Sequence, residues 1–413
     1  MADPRSGVSL PVAHSLISRS AVRPGQMSSA PFRPWAFLLS VWGVNVVINA
    51  FYIAPAPVFT DMIEDLGISN AQAGGLISFY LLAILLFQIP AGYAIDRSDP
   101  RRIVVLSSVV LVGIGVALAS FPRYDALVVL RFVAGIPVAF IFVPSAFLVA
   151  RAFSDAPGRA IGLFLSAPPA GVAVGNLLGP MIAEAAGWPI VFAAFSVPLL
   201  AALPSFVRFA APIPRRDHGA FTMRDYLAAF RNLELWKVGL TFACTYAAYI
   251  FYASWTPTYL RSSAVASAAV IGLISGAIPA AGILSRPLGG HLAETRFRTD
   301  RRYVPAIAFF LLFLIGVAVP WAGPAAVPLL LAAGFFAQFP FSVYYLFASG
   351  IMPAKFGGTA FAFMNTISLI GGTVSPGLAG LLVDVTGSFV ASFLMIAGTA
   401  VIGLVTIVVL RER

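Results

Sequence analysis

From residue 35 onward the chain alternates between long apolar runs and short polar connections. Each run is roughly 20 residues or more, enough to cross ~30 Å of hydrocarbon as a helix rising 1.5 Å per residue. Breaking the chain at clusters of charge, Gly and Pro predicts twelve helices. They lie at about 35–59, 71–95, 103–121, 126–150, 158–183 and 188–209, then 237–260, 267–291, 303–322, 326–349, 356–383 and 389–410. Hydrocarbon offers no water to free backbone groups, so runs of this kind must be helical. The expectation is an all-α integral membrane protein.

Composition supports this: 60% of the 413 residues are hydrophobic and 10% charged, where a soluble domain carries about a quarter charged. Residues 1–34 are Ser/Pro/Arg-rich without an apolar core and read as a disordered tail rather than a signal peptide; translation starts at Met1 or, equally, at Met27. Residues 210–236 form the longest polar connection. Within it "TMRDYLAAFRNLELW" predicts an amphipathic surface helix with Tyr226, Leu227 and Phe230 toward one side. The expected domains are therefore six-helix bundles at 35–209 and 237–410.

The net charge of +10 does not point to nucleic acid, because no basic stripe is interleaved with aromatics. The arginines occupy alternate loops, around 97–102, 151–159, 208–237 and 296–302. With both termini cytoplasmic, only Arg123 and Arg261 of 26 basic residues fall in outside loops, and Arg131 falls within a span. Positive charge stays inside, so this orientation is expected, in the cell's inner (plasma) membrane. The first outside loop, "TDMIEDLGISN", is acidic, and the one cysteine, Cys244, excludes an internal disulfide.

The loop "GYAIDRSDPRR" (92–102) has an echo in "GGHLAETRFRTDRR" (289–302). Gly92-x-x-x-Asp96 matches Gly290-x-x-x-Glu294 at a shift of 198, and Glu184-x-x-Gly187 matches Asp384-x-x-Gly387 at a shift of 200. Two similar shifts indicate a six-span repeat. These residues resemble the major facilitator superfamily of secondary transporters. "GYAIDRSDPRR" is similar to its signature between spans 2 and 3, although Asp99 stands where that signature has a second glycine. "LRFVAGIP" (130–137) resembles its span-4 pattern and "GVAVGNLLGP" (171–180) its span-5 pattern. "SWTPTYL" and "NTISLIGGTVSPGLAGLLVDVTGS" are similar to organic-anion and cyanate-permease-like members. The resemblance implies twelve helices in two pseudo-repeats around a central cavity.

It also implies a cytoplasmic gate. Gly92 would let span 2 approach a neighbour closely, and Asp96 would face the N-terminus of span 11 near Phe356–Thr359, where the helix dipole favours a carboxylate. Arg97 and Arg101 would complete the cluster; in the second half Gly290, Glu294 and Arg296 would repeat it toward span 5 near Gly158. The alternative is that these are topology charges alone.

Arg131 is the one charge placed well inside a span, roughly 8 Å below the interface. It is a carboxylate receptor facing a cavity, or it braces neighbouring carbonyls. Polar residues at helical spacing supply further candidates: Asn45, Asn49 and Tyr52 on span 1, and Thr241, Thr245, Tyr249, Tyr252 and Thr256 on span 7. Asn176 on span 5, Gln338, Ser342 and Tyr345 on span 10, and Asn365 on span 11 join them; each alone also reads as helix–helix glue.

His14, His218 and His291 are too scattered for a metal site. No P-loop, nucleophile–base pair or cofactor motif is present, so no enzyme activity and no cofactor are expected. The leading expectation is a monomeric transporter of a small, carboxylate-like organic anion by alternating access. The alternative is a proton-coupled efflux antiporter for multidrug or amphipathic compounds. After the span-4 glycine the sequence reads Ile136, Pro137, Val138, with no acid, so exchange and uniport stand beside proton symport.

Overall fold

The computed structural model describes residues 33–153, 157–210, 230–262, 267–351 and 357–410, with backbone only at 96, 157–159 and 357–359. Most of the expected tail and linker, including Tyr226 and Leu227, lies outside these residues. The helices are α1 (Pro34–Leu66), α2 (Asn70–Arg97), α3 (Pro100–Ser120), α4 (Tyr124–Ala152), α5 (Ala160–Ala186), α6 (Ile190–Phe209), α7 (Leu233–Ser262), α8 (Ala268–Glu294), α9 (Tyr303–Trp321), α10 (Gly323–Ile351), α11 (Gly357–Thr386) and α12 (Val390–Val408). Eleven are long and apolar enough to cross a membrane. The exception is α7, 30 residues long and rich in Tyr, Thr and Ser, yet buried from Leu235 to Leu260 along most of its length. A helix that polar holds a central position only if its neighbours, not lipid, surround it.

Local sequence explains the ends and the breaks. Ser69 and Gln72 form a reciprocal capping box at the start of α2, at 3.2 and 2.8 Å. Proline has no N–H to donate four residues back. Pro55 and Pro57 therefore interrupt α1 after Ile53, Pro168 and Pro169 interrupt α5 at Leu165–Ser166, and Pro340 interrupts α10 before Phe341. Each break leaves carbonyls for side chains to take.

Two loop structures repeat. Arg101 makes a bidentate pair with Asp99 (3.2 and 2.8 Å) and donates to the Ala210 carbonyl at the end of α6. Arg302 does the same with Asp300 (2.8 and 2.8 Å) and the Leu410 carbonyl after α12. Gly187 and Gly387 both adopt positive φ, 84° and 69°.

The halves meet where α2 packs along α11 and α5 along α8. At the end of the bundle away from the described termini these pairs touch closely: a Cβ on Gly74 would overlap the Pro376 carbonyl, one on Gly380 the Asn70 carbonyl, and one on Gly272 the Leu177 carbonyl. Asp384 of α11 caps α2, accepting from the Asn70 and Ala71 backbone amides at 2.9 and 2.8 Å. Arg261 pairs with Asp61 across the halves at 2.7 Å. At the termini end a Cβ on Gly92 or Gly162 would meet open space. The structure is closed at the far end.

That state corrects the gating expectation. Gly92 makes no close helix contact, and Gly290 faces Ser342 of its own half. Arg101 is spent on Asp99 and Ala210 rather than on a cluster with Asp96, and Arg97 lies 3.9 Å over the Tyr93 ring. Glu294 and Arg296 are exposed. The Asp96 carboxylate, the side chains starting α11 and that region of Gly158 fall outside the described side chains.

Candidate functional site

Arg131 is fully buried. Its Nε donates to the Leu76 carbonyl (3.3 Å), Nη1 to that of Phe51 (3.2 Å) and Nη2 to that of Tyr52 (2.6 Å). Pro55 denies Phe51 its ordinary helical donor, so the guanidinium satisfies carbonyls left over where α1 breaks. The Tyr80 ring lies 4.3 Å beneath it, and Tyr80 stacks on Tyr52 at 5.4 Å. Every nitrogen of Arg131 is engaged within the first half. Of the two readings open from sequence, the geometry is that of the brace.

A second intramembrane arginine, which sequence reasoning passed over, has the other geometry. Arg286 sits on α8, eight residues before Glu294. Its Nη2 donates to Gln338 Oε1 at 2.9 Å and its Nη1 to the Leu165 carbonyl at 3.3 Å. That carbonyl is available because Pro169, four residues on, has no N–H. The guanidinium lies 4.3 Å from the Phe341 ring and 5.8 Å from that of Tyr249, a cation–π arrangement. Its Nε is buried without a hydrogen-bond partner, while the side chain as a whole is partly exposed.

Gln338 holds this cation in place. Its Nε2 donates to the Pro279 and Gly334 carbonyls at 3.1 and 3.2 Å, which turns Oε1 toward Arg286. Gly282 makes the room, since a Cβ there would overlap the Gln338 amide. Around Arg286 stand Tyr246, Tyr249 and Tyr345; Tyr246, Tyr249 and Phe341 pack with ring centres 6.0–6.1 Å apart. Tyr52 brings in the first half, within electrostatic reach of Tyr246 and Tyr249 on one side and of Arg131 on the other. The Tyr52 and Tyr249 hydroxyls are buried and unpartnered.

The remaining expected residues divide. Asn45 and Asn49 lie on the same face of α1, donating to the Val41 and Asn45 carbonyls at 2.9 and 2.8 Å, with Asn45 Oδ1 unpartnered. Tyr345 joins the Arg286 cluster. Tyr252 does not: it packs on Phe251 and on Phe393 of α12. Asn176 donates to the Ala253 and Ser275 carbonyls and so ties α5 to α7 and α8. Asn365 donates to Gln88 Oε1 at 3.4 Å, a polar contact between α11 and α2. These three read as glue.

A family model matches residues 41–376, that of the Major Facilitator Superfamily. The chain belongs to the Major Facilitator Superfamily. Its helices superpose on a solved superfamily-type structure, a bacterial homolog of the human lysosomal transporter Spinster, described as inward-facing and unoccupied, with a TM-score of 0.74 at 15% identity, covering 93% of this chain and 96% of that one. Among superfamily relatives, the probable sulfoacetate transporter SauU of Cupriavidus necator is 26% identical over 367 residues, 81% of this chain and 84% of that protein. The hexuronate transporter of Bacillus subtilis is 24% identical over 394 residues, 88% and 91%. Both names denote carriers of small organic acids, and neither protein is an enzyme by name.

Proposed function

We propose that this chain carries a small organic anion across the plasma membrane by alternating access, as a monomer of twelve spans in two six-helix repeats, with both termini cytoplasmic. The observation that carries the anion site is Arg286: a partly accessible guanidinium at mid-bundle, held by neutral groups, with one donor unspent. Such a fork suits a carboxylate or sulfonate. Tyr52, Tyr249, Tyr345, Asn45 and Asn49 supply neutral polar groups around it. The organic acids named for the relatives support the same class, and the paired Asp99–Arg101 and Asp300–Arg302 loops support the repeat. In the opposite state, Asp96 with Arg97 and Glu294 with Arg296 would close the termini end.

The test is uptake into proteoliposomes of labelled mono- and dicarboxylates and sulfoacetate. Arg286→Ala is expected to abolish uptake while the protein stays folded. Anion transport indifferent to Arg286, or transport of lipophilic cations alone, would replace this reading with the efflux one.

A further inference from the structure

The two buried arginines differ in what happens to them when the halves rock. Arg131 is held by α1 and α2, both in its own half, so its three carbonyl bonds persist throughout a cycle. Arg286 belongs to the second half, but its carbonyl partner, Leu165, belongs to the first. The equivalent place in the other pair of helices carries only neutral groups: Gln88 meets Thr366 and Asn365 at 3.3 and 3.4 Å. Rocking of α5 against α8 must therefore break the Arg286–Leu165 bond and leave the guanidinium with Gln338 and aromatic faces.

We propose that the chain is an exchanger of monovalent organic anions, in which the bound anion replaces the Leu165 carbonyl and lets the site pass through its enclosed form; this rests on the anion-site reading above. Enclosing an uncompensated cation in a low-dielectric interior is strongly unfavourable, whereas a cation paired with one negative charge passes far more easily. The empty site therefore does not reverse, and transport in one direction depends on transport in the other. A dianion would leave one negative charge uncompensated and is disfavoured by the same rule.

The groups facing Arg286 supply no alternative counter-charge. From α7 come Tyr246 and Tyr249, from α10 Tyr345, and from α1, beyond the tyrosines, Tyr52; phenols are neutral near pH 7. From α5 comes a backbone carbonyl. On α8 itself His291 and Glu294 are exposed, near the termini end. Every acid with a described side chain lies at a helix end or in a connection, and none is buried. No described group at the site would take up and release a proton in step with the anion.

The experiment uses wild-type protein in liposomes and three matched pairs of labelled probes: acetate and sulfoacetate, glucuronate and glucarate, benzoate and phthalate. Each is offered to vesicles holding the same unlabelled anion, to empty vesicles, and to empty vesicles under an inward proton gradient. Exchange predicts uptake roughly tenfold or more above both empty conditions, for the monoanion of the transported pair, and unaffected by membrane potential. Accumulation in empty vesicles driven by the proton gradient, or equal transport of the dianion, would overturn exchange while leaving the anion site standing. If no probe moves in any condition and none raises the melting temperature, the anion-site reading itself fails and exchange with it.

Discussion

Arg131 gives its three nitrogens to carbonyls that proline and a helix end left free, while Arg286 keeps one nitrogen unspent beside a cluster of phenols. Replacing them should therefore fail in different ways. Arg131→Gln removes bonds holding α1, α2 and α4 together and strands buried carbonyls, a loss on the order of 3 kcal/mol. The expected readout is a lower melting temperature and lower yield, with KM near wild type in the protein that folds. Gln338→Leu leaves the Arg286 charge but frees its orientation. Because hydrogen bonds to charged groups contribute about 1.5–3 kcal/mol, KM should rise roughly tenfold or more with little change in fold. Unchanged KM would show that Gln338 does not position the cation. Arg286 escaped the sequence reading because it stands beside "PLGGHLAET", among residues that lead into a charged loop. Its depth becomes visible only once α8 is seen to run on to Glu294.

The far end is held by one helix capping another. Asp384 places both oxygens on the first amides of α2, where the helix dipole favours negative charge. Gly380 lets the two backbones approach. Asp384→Asn weakens the latch, and Gly380→Leu blocks closure outright. Both should raise labelling of an introduced Ser388→Cys by an impermeant thiol reagent, the second variant more than the first; unchanged labelling would mean that this latch does not set the closed state. At the termini end, hydrogen bonds from Arg101 hold the Asp99 carboxyl below the ordinary carboxylate range, and those from Arg302 do the same for Asp300. A lowered folded pKa contributes stability above the unfolded value, near 4, and loses it as pH falls through the folded value. Both groups are about one-third to one-quarter exposed, so solvent reduces the effect. The double variant Asp99→Asn, Asp300→Asn should melt lower at pH 7, and its difference from wild type should shrink below about pH 4. A difference constant down to pH 3 would remove these pairs from the account.

Orientation is open to a direct check because the native thiol, Cys244, is buried. Gly92→Cys, at a position facing open space, should be labelled from the cytoplasmic side of oriented vesicles, and Arg123→Cys from the outer side. The reverse pattern would invert the topology.

Helix number, the repeat and the superfamily were legible because bilayer thickness and backbone hydrogen bonding act on every residue of a span, so they write themselves into periodicity and spacing. The tyrosine face of α7 was legible for the same reason: Tyr249 does join the site. Tyr252, three residues on, turns to Phe393, and Asn176 and Asn365 meet backbone or amide groups of neighbouring helices. Which polar residues line the cavity depends on helix rotation and packing, to which a single helix's pattern is blind. Charge placement likewise indicated that a buried arginine would matter, since desolvation makes any such residue costly wherever it lies. Which arginine braces the fold and which is left to meet an anion depends on carbonyls freed by prolines in other helices, Pro55 for Phe51 and Pro169 for Leu165, and those meet their donors only when the chain has packed.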